Sequence, residues 1–408
     1  MSVGTRSPAS AVVGRASERR RLARFVTSGS GALLLTGEAG IGKSTLLAEA
    51  AALAGAHGAT VLTGFAAETD AERPFCVITD LFDGLDLAGF GLTDPVLAAL
   101  EAATLRRGVT VPVDPTAVEV GTWQVLRALG DGEPVVVALD DVAWSDRASL
   151  RALGHAVRRL APSSYRFVLS RRAGLERTEL ERELTKAGLE LVECGPMGRD
   201  DLGRLVGDRL GLRLPAWVLD KLVDQAQGNP LFALEFGLVL RERGLPGYGE
   251  PLRLGDDLDA TIGARVTALP ARARAALLAV ALEPRLTEPD LFGVAGEAAV
   301  REALDRDVLD RRPDGRLRPR HPLLASVVRR LATAAETRAT HLRIAETSTE
   351  PETAARHLAL GRPWPEEDTA ARLDHAVRLG TARGATESAT ELAGLALARS
   401  PAGSPRGS

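Results

Sequence analysis

A nine-residue stretch near the N-terminus constrains the fold of this chain more than any other part of it. The stretch runs Gly37, Glu38, Ala39, Gly40, Ile41, Gly42, Lys43, Ser44 and Thr45. A short apolar run of strand length, residues 31–36, precedes it, and residues 45–53 carry apolar side chains at helical spacing. A buried strand, a glycine-rich turn and the start of a helix form the setting that a phosphate-binding loop requires.

The residue types in this stretch suit the capture of phosphate. Glycines let successive backbone N–H groups converge on phosphate oxygens in conformations that a Cβ atom would forbid. The N-terminus of the following helix adds unpaired N–H groups and partial positive charge. We predict that Lys43 reaches the outer phosphates of a nucleotide and that the Ser44 hydroxyl binds Mg²⁺. An ordinary glycine-rich turn is the alternative, which the flanking strand and helix disfavour.

A second motif supplies a candidate metal ligand and a candidate base. Residues 134–139 form a continuous apolar run, typical of a parallel strand buried on both faces, and two acids follow it. Ligands of α/β sheets bind at the carboxyl ends of the strands. We predict that Asp140 holds Mg²⁺ and that Asp141 polarises an attacking water. The alternative is an acidic cap on a helix that starts near Ser145 and Asp146.

Two arginines follow the next predicted strand, residues 165–170. An arginine just past a central strand can reach a γ-phosphate, and we predict this role for Arg171, or for Arg172 in its place. A solvated basic turn is equally compatible with either residue. Five predicted strands alternate with helical segments, which indicates a parallel, doubly wound α/β sheet. The stretch 66–130 receives no assigned role.

The second half of the chain is predicted to be helical, with one short hairpin. Helical segments after the sheet suggest a lid, and three helices with a hairpin suggest a winged helix. Later helices are spaced like the start of a repeat array. The predicted boundaries are 1–11 for a disordered tail, 12–196 for the phosphate-loop domain, 197–245 for the helical lid, 246–335 for the winged-helix-like domain, 336–400 for the helical repeats and 401–408 for a second disordered tail.

The composition excludes several classes of protein. With 45% hydrophobic and 26% charged residues, the chain can build cores and is not a disordered protein. A net charge of −3 gives no whole-chain reason to expect nucleic acid or an anionic membrane as a partner. No apolar run approaches ~18 residues, so no membrane span is predicted. Cys76 and Cys194 form no disulfide framework, and a reduced cytoplasmic protein is expected.

Five motifs in this order resemble the signalling ATPases with numerous domains, and specifically the ATPase half of large LuxR-type bacterial regulators. They are Val13-Gly14-Arg15-x-x-Glu18, the loop at 37–45, Asp140-Asp141-x-x-Trp144-x-Asp146, Gly228-Asn229-Pro230-Leu231 and His321-Pro322-Leu323-Leu324. The resemblance implies an AAA-like P-loop NTPase with a parallel five-stranded sheet, then an all-α lid, a winged helix and TPR-like repeats. It also implies a weak, Mg²⁺-dependent ATPase that works as an ATP/ADP switch and self-associates in the ATP state.

The resemblance extends the nucleotide site beyond the phosphate loop. It implies that Gly14 and Arg15 line the base pocket, that Pro230 approaches the adenine and that His321 touches the ADP phosphates. For Pro230, capping of the next helix is an equally complete explanation. A small-molecule or protein inducer is implied, but the residues do not identify it.

Three departures from the family pattern affect these expectations. Ala143 stands where many relatives have histidine, and Pro319 stands where an aromatic residue is usual. No helix-turn-helix segment is found, so we expect DNA to be contacted only through a domain that this chain lacks. Two other functions stay open: DNA binding through the arginines of the hairpin at 311–320, and an enzyme that uses ATP on a separate substrate. Neither a polar recognition helix nor a second catalytic cluster is evident.

Overall fold

The computed structural model of the protein describes most of the chain. The described residues are 12–68, 71, 73–107, 113–161, 165–245, 258–311, 315–320, 322–383 and 385–401. The predicted nucleotide contact His321 and the predicted tails, apart from Pro401, lie outside this set. Within the described part of the chain, no helix is both long enough and apolar enough to span a membrane.

A parallel five-stranded sheet forms the first part of the molecule. Its strands are β1 (Gly31–Gly37), β2 (Thr60–Phe65), β3 (Val135–Asp140), β4 (Tyr165–Arg172) and β5 (Leu189–Glu193). Their order is β2-β3-β4-β1-β5, and every pairing is parallel. Because β3, β4 and β1 are adjacent, the ends of these three strands bring the phosphate loop and the predicted acids to one edge. The predicted α/β sheet is confirmed.

Strand β3 shows why the sequence has an unbroken apolar run. Val135, Val137 and Leu139 point into one buried cluster, whereas Val136 and Ala138 point into another. Helices cover both faces of the sheet and exclude water from them. Strand β3 therefore lacks the usual alternation of polar and apolar residues. The covering helices are α1 (Ala16–Ser28), α2 (Lys43–Ala56), α3 (Cys76–Leu81), α4 (Asp94–Ala103), α5 (Pro115–Gly130), α6 (Arg147–Val157) and α7 (Glu179–Lys186). Much of the stretch without an assigned role therefore forms α3, α4 and α5.

Three helices follow the sheet and form a small unit with its own apolar core, which we call the lid. They are α8 (Arg199–Leu210), α9 (Ala216–Ala226) and α10 (Pro230–Arg243). Leu202, Val206, Leu222 and Phe236 lie in its core. The Asn229 side chain caps α10 by accepting the N–H of Leu231. Pro230 is the first residue of α10, where its missing N–H has no consequence for helix bonding.

Residues 258–331 form a second helical unit, which we call the hairpin domain. Its helices and strands are α11 (Leu258–Ala268), α12 (Ala271–Leu282), α13 (Glu288–Ala295), α14 (Glu297–Asp305), β6 (Leu309–Arg311), β7 (Leu317–Pro319) and α15 (Pro322–Leu331). Strands β6 and β7 are antiparallel. Helices followed by a hairpin are the element order expected of a winged helix.

Four further helices, which we call the C-terminal helices, complete the described chain. They are α16 (Ala334–Thr347), α17 (Pro351–Gly361), α18 (Glu367–Ala382) and α19 (Thr386–Arg399). Each packs against the next in sequence. Helix α16 also packs on α12 and α13 of the hairpin domain. The mostly helical second half agrees with the prediction.

Two histidines of the C-terminal helices form a buried pair. His341 Nδ1 lies 2.8 Å from His357 Nδ1, and both side chains are shielded from solvent. Burial, and to a smaller extent the charge of His357, lower the pKa of His341 to about 4, although Glu283 opposes both effects. The folded chain therefore disfavours protonated His341.

Acidification should destabilise the wild-type chain through His341. Between pH 6.5 and about 4 the unfolded residue takes a proton and the folded one does not, so stability is full above this window and is lost as pH falls through it. The expected loss is about 2 kcal/mol in the free energy of unfolding. Urea denaturation at pH 7.5 and 4.5 measures it. His341→Gln should show a smaller drop, and the exposed control His375→Gln should match the wild type. Equal drops in all three chains would contradict the assignment.

Candidate nucleotide-binding site

The loop between β1 and α2 has a backbone geometry that suits an anionic ligand. Gly40 and Gly42 have φ angles of 78° and 102°, in the left-handed region that favours glycine. Gly42 precedes α2, and no side chain caps the N–H groups of the first turn, which holds Lys43, Ser44 and Thr45. A Cβ atom on Gly42 would meet nothing within 4 Å. Helix N–H groups and open space are thus available to a phosphate.

Lys43 lies folded across this loop. Its Nζ donates to the carbonyl oxygens of Gly37 at 3.0 Å and Glu38 at 2.8 Å, and the residue is only 6% exposed. Burial lowers the pKa of the Lys43 amine, whereas the nearby carboxylates of Asp141 and Asp140 oppose that shift. An ammonium group has three donors, so one remains beyond the two carbonyl bonds. The loop therefore holds a desolvated cation with a donor to spare.

A serine that the sequence analysis missed holds the two acids. The fully buried Ser170 hydroxyl donates to Asp140 Oδ1 at 2.5 Å and accepts the N–H of Asp141 at 2.9 Å. Asp141 has a φ of 52°, which is uncommon for a residue with a side chain. In the sequence, the signal for this role of Ser170 was a single hydroxyl residue at the end of the apolar run of β4. Ser170 is thus a positioning residue for both acids.

The two neighbouring arginines at the end of β4 lie in different surroundings. An Arg172 guanidinium nitrogen lies 3.5 Å from Asp141 Oδ2. Arg171 instead donates to the carbonyl of Leu175 at 2.8 Å and lies 3.5 Å from the buried carboxylate of Glu181. Successive side chains of a strand point to opposite faces, so only one of the two can face the acids. The structure thus places Arg172, and not Arg171, beside the acids.

The electrostatics of Asp141 suit a proton acceptor. Burial raises the pKa of its carboxyl, and the neighbouring Asp140 raises it further. Arg172 and Lys43 oppose this shift with positive charge. A carboxylate with a raised pKa binds a proton more readily than an ordinary aspartate, as a general base must.

The segment before α1 is wedged between the phosphate loop and the lid. Gly14 and Arg15 both have left-handed backbones, with φ of 67° and 59°. The buried Arg15 guanidinium donates to the carbonyl of Ile41 at 2.9 Å. A Cβ atom on Gly14 would overlap the carboxylate of Asp201 in α8. This segment therefore contacts both the phosphate loop and α8.

The first turn of α10 rests directly on the phosphate loop. Asn229 Nδ2 donates to the carbonyl of Ala39 at 2.9 Å. The side chain of Leu231 lies so close to Gly40 that a Cβ atom there would overlap it. Pro230, between them, is held beside the loop. The lid thus contacts the loop through the side-chain amide of Asn229 and the side chain of Leu231.

Gly40→Ala should weaken this contact more than Gly42→Ala does. Both substitutions strain a left-handed backbone, but only the alanine at 40 would also meet Leu231. We expect Gly40→Ala to lower the midpoint of thermal unfolding by several degrees more than Gly42→Ala, because overpacking adds about 1–3 kcal/mol. Differential scanning fluorimetry of the two variants measures this. Equal midpoints would show that the lid does not rest on Gly40.

The oxygen ligands at the site fit Mg²⁺. In the part of the chain that the structure describes, no three His, Cys, Asp or Glu side chains converge as a metal site. Magnesium is commonly held by one or two protein oxygens, with substrate phosphates and water completing its shell. The hydroxyl of Ser44 and the carboxylate of Asp140 are oxygen ligands of the required type. The site therefore suits a metal that arrives with a nucleotide.

The same region matches a known family. Residues 11–169 match the family described as AAA ATPase domain. This part of the chain is an AAA-type ATPase domain. The match includes the phosphate loop, both acids of β3 and most of β4. We call residues 12–193 the ATPase domain from here on. No curated protein matches the chain.

The chain resembles a solved structure over 95% of its length. It is similar to a signal transduction ATPase with numerous domains that has a tetratricopeptide repeat sensor, from Pyrococcus horikoshii, with 14% identity and a TM-score of 0.56. That match covers 95% of this chain and 58% of the other, so the chain spans little more than half of that protein. The similarity shows a P-loop NTPase-like sheet followed by a mostly helical part.

Two more distant structures were also found. Cdc6p from Pyrobaculum aerophilum is 15% identical with a TM-score of 0.39, over 80% of this chain and 96% of the other. AMPPCP-bound DnaA from Aquifex aeolicus is 14% identical with a TM-score of 0.38, over 71% and 86%. Neither likeness adds to the argument on function.

Proposed function

We propose that this chain is an ATP-binding and slowly ATP-hydrolysing switch, the regulatory part of a LuxR-type transcriptional regulator. The observation that carries the proposal is the cluster of buried Lys43, buried Asp140 and part-buried Asp141 beside a loop on which the lid rests. The AAA-type domain supports nucleotide binding. The regulator role rests on the motif resemblance alone.

Each residue of the cluster has one proposed task. Lys43 and the N–H groups of residues 37–45 bind the phosphates, and Ser44 with Asp140 holds Mg²⁺, which neutralises phosphate charge when bound. Asp141 accepts a proton from the attacking water. Arg172 is our candidate for contact with the γ-phosphate, because it already faces Asp141. Gly14, Arg15 and Pro230 border the base, and His321 stays a proposed phosphate contact.

Switching requires that ATP and ADP favour different arrangements of the lid and hairpin domain. A ligand shifts an equilibrium only through a difference in its affinity for the two states. The phosphate loop touches α10 through Ala39 and Gly40, so a change in the loop moves the lid contact directly. We propose that ADP keeps the packed arrangement seen here and that ATP favours an open, self-associating one.

The experiment is calorimetric binding of ATP and ADP with and without Mg²⁺, followed by single-turnover and steady-state hydrolysis. We expect binding of both nucleotides, tighter with Mg²⁺, and turnover far below about 1 per second. Size-exclusion chromatography with a non-hydrolysable ATP analogue should show a larger species than with ADP. Absence of binding would overturn the proposal. Rapid turnover that depends on one added metabolite would instead indicate an enzyme acting on that metabolite.

The alternative of direct DNA binding through the hairpin arginines is not favoured by the contacts. Arg316 bonds to Asp80 of the ATPase domain, and Arg311 and Arg320 pair with acids of the hairpin domain itself. Helix α14, which precedes the hairpin and would be the recognition helix, carries several acids. Such a helix repels the phosphate backbone. Duplex DNA should therefore show no salt-dependent binding to the packed chain.

A further inference from the structure

The ATPase domain and the hairpin domain meet through charged side chains. Asp80 of α3 accepts hydrogen bonds from Arg285 at 3.1 Å and Arg316 at 2.9 Å. Arg318 of β7 lies over the ring of Phe65, the last residue of β2. Among the described residues, the buried apolar clusters of the two domains are separate. Polar interfaces of this kind separate more readily than apolar ones.

The hairpin domain and the C-terminal helices meet through apolar packing instead. Ile344 of α16 belongs to the buried core of the hairpin domain. A Cβ atom on Gly293 of α13 would lie 2.9 Å from Thr347 Cγ2, so the two helices are in close contact. Because separation would expose this surface to water, α16 and the hairpin domain should move as one body.

One buried carboxylate joins all three parts. Glu283, at the end of α12, is 2% exposed and faces the Arg73 guanidinium of the ATPase domain, with Nη1 3.1 Å from Oε1. His357 of α17 lies with Nε2 3.2 Å from Oε2, and the N–H of Arg285 donates to Oε1 at 3.1 Å. Removing one partner of a buried ion pair leaves the other charge uncompensated. Glu283 therefore links the three parts only while Arg73 of the ATPase domain and His357 of α17 both stay bonded to it.

The two histidines fix the direction of this hydrogen-bond chain. Ionised Glu283 can only accept, so His357 Nε2 must carry the proton that lies between them. The Nδ1 atoms of His357 and His341 are 2.8 Å apart, and one of them must donate to the other. These hydrogen bonds form only when α17 occupies its present position. A shift of α17 would break the bond to Glu283.

The hairpin domain is tied in turn to the lid. Arg265 of α11 and Glu235 of α10 form a buried ion pair, and Arg265 also donates to the carbonyl oxygens of Arg306 and Asp307. The first turn of α10 is the part that rests on the phosphate loop. Movement of the hairpin domain away from the ATPase domain would therefore pull α10 off the loop.

The segment just after Arg73 is hydrogen-bonded to Asp146, six residues after Asp140. Two residues along the chain, the N–H of Phe75 donates to the fully buried carboxylate of Asp146 at 2.7 Å, and that of Val77 does so at 3.2 Å. Asp146 also caps α6, which begins just after the Asp140–Asp141 turn. The segment that carries Arg73 is thus hydrogen-bonded to Asp146, which follows the two acids of the site.

We propose that Glu283 is a latch through which the C-terminal helices keep the lid on the nucleotide site, and that displacement of α17 releases it. This inference rests on the proposed nucleotide function and names the regulation of the same site. Loss of the His357 bond weakens the Glu283–Arg73 pair. The hairpin domain and α16 then move away as one body and draw α10 with them, which frees the nucleotide.

Release of a fluorescent ADP analogue, chased with excess ADP, tests the latch. The chains are wild type, His357→Leu, which removes the donor, Arg73→Gln and the double variant, with exposed His375→Leu on α18 as the matched control. We expect release about fivefold faster for His357→Leu and about tenfold faster for Arg73→Gln. The double variant should match Arg73→Gln within about twofold, because both changes break one chain of bonds. Multiplied effects, or unchanged release in both single variants, would overturn the latch.

Hydrogen exchange of the nucleotide-free chains separates this inference from the proposed function. If the wild type binds no ADP analogue, the proposed function fails, and exchange alone decides the latch. His357→Leu should then raise the exchange rate of the amides at 75–81 about fivefold and leave those of β1 unchanged. Equal exchange in His357→Leu and His375→Leu would overturn the latch whatever the nucleotide result.

Discussion

Replacing Lys43 by alanine is expected to lower the affinity for ATP by about a hundredfold or more. The amine would make charge-assisted hydrogen bonds to phosphate, each contributing about 1.5–3 kcal/mol. The substitution also removes the two bonds that fold the side chain over the loop, to Gly37 and Glu38. Isothermal titration calorimetry with ATP and Mg²⁺ measures the change.

Lys186→Ala is the matched control for this experiment. Lys186 is exposed, and it pairs on the surface with Glu183 at 2.9 Å. Surface pairs of this type contribute little, so we expect ATP affinity within about twofold of the wild type. The unfolding midpoint of Lys43→Ala should be measured alongside, to exclude loss of the fold. Unchanged ATP affinity in a folded Lys43→Ala chain would refute the assignment of the site.

Asp141→Asn is expected to slow hydrolysis by about a hundredfold or more while ATP still binds. An amide cannot accept the proton of the attacking water, but it preserves the shape of the turn that Ser170 holds. Because burial and Asp140 raise the pKa of Asp141, wild-type hydrolysis should also decline on acidification at a higher pH than an ordinary aspartate would give. Single-turnover rates across a pH series test both expectations.

Asp140→Asn provides the comparison, because it is assigned a different task. It should weaken the enhancement of ATP binding by Mg²⁺, which Asp141→Asn should leave in place. If Asp141→Asn hydrolyses ATP at the wild-type rate, Asp141 is not the base. If both variants lose Mg²⁺ dependence equally, the division of roles between the two acids is wrong.

Much of the ATPase domain could be predicted because its signals are local. The apolar run of β3 reports burial on both faces within six residues, and the phosphate loop combines strand, turn and helix start in one short segment. The parallel sheet followed from the alternation of strands and helices. The choice between Arg171 and Arg172 needed the strand register, which adjacent residues in a sequence do not reveal.

The interdomain contacts could not be predicted, for a different physical reason. Arg73 and Glu283 are separated by 210 positions, and Glu283 and His357 by 74. No periodicity or motif records which distant charges will pair, because many arginines and acids offer similar partners. Ser170 was missed on similar grounds, since a hydroxyl in a strand is unremarkable until the acids lie beside it.

Because Gly40 and Leu231 are in contact, we expect the residue types at these two distant positions of the chain to vary together. The leucine fills the volume that any side chain at position 40 would need. A functional library randomised at both positions should therefore yield correlated pairs, with a smaller residue at 231 whenever 40 is not glycine. Part of what maintains a glycine in a phosphate loop would then be the bulk of a neighbour, independent of the phosphate.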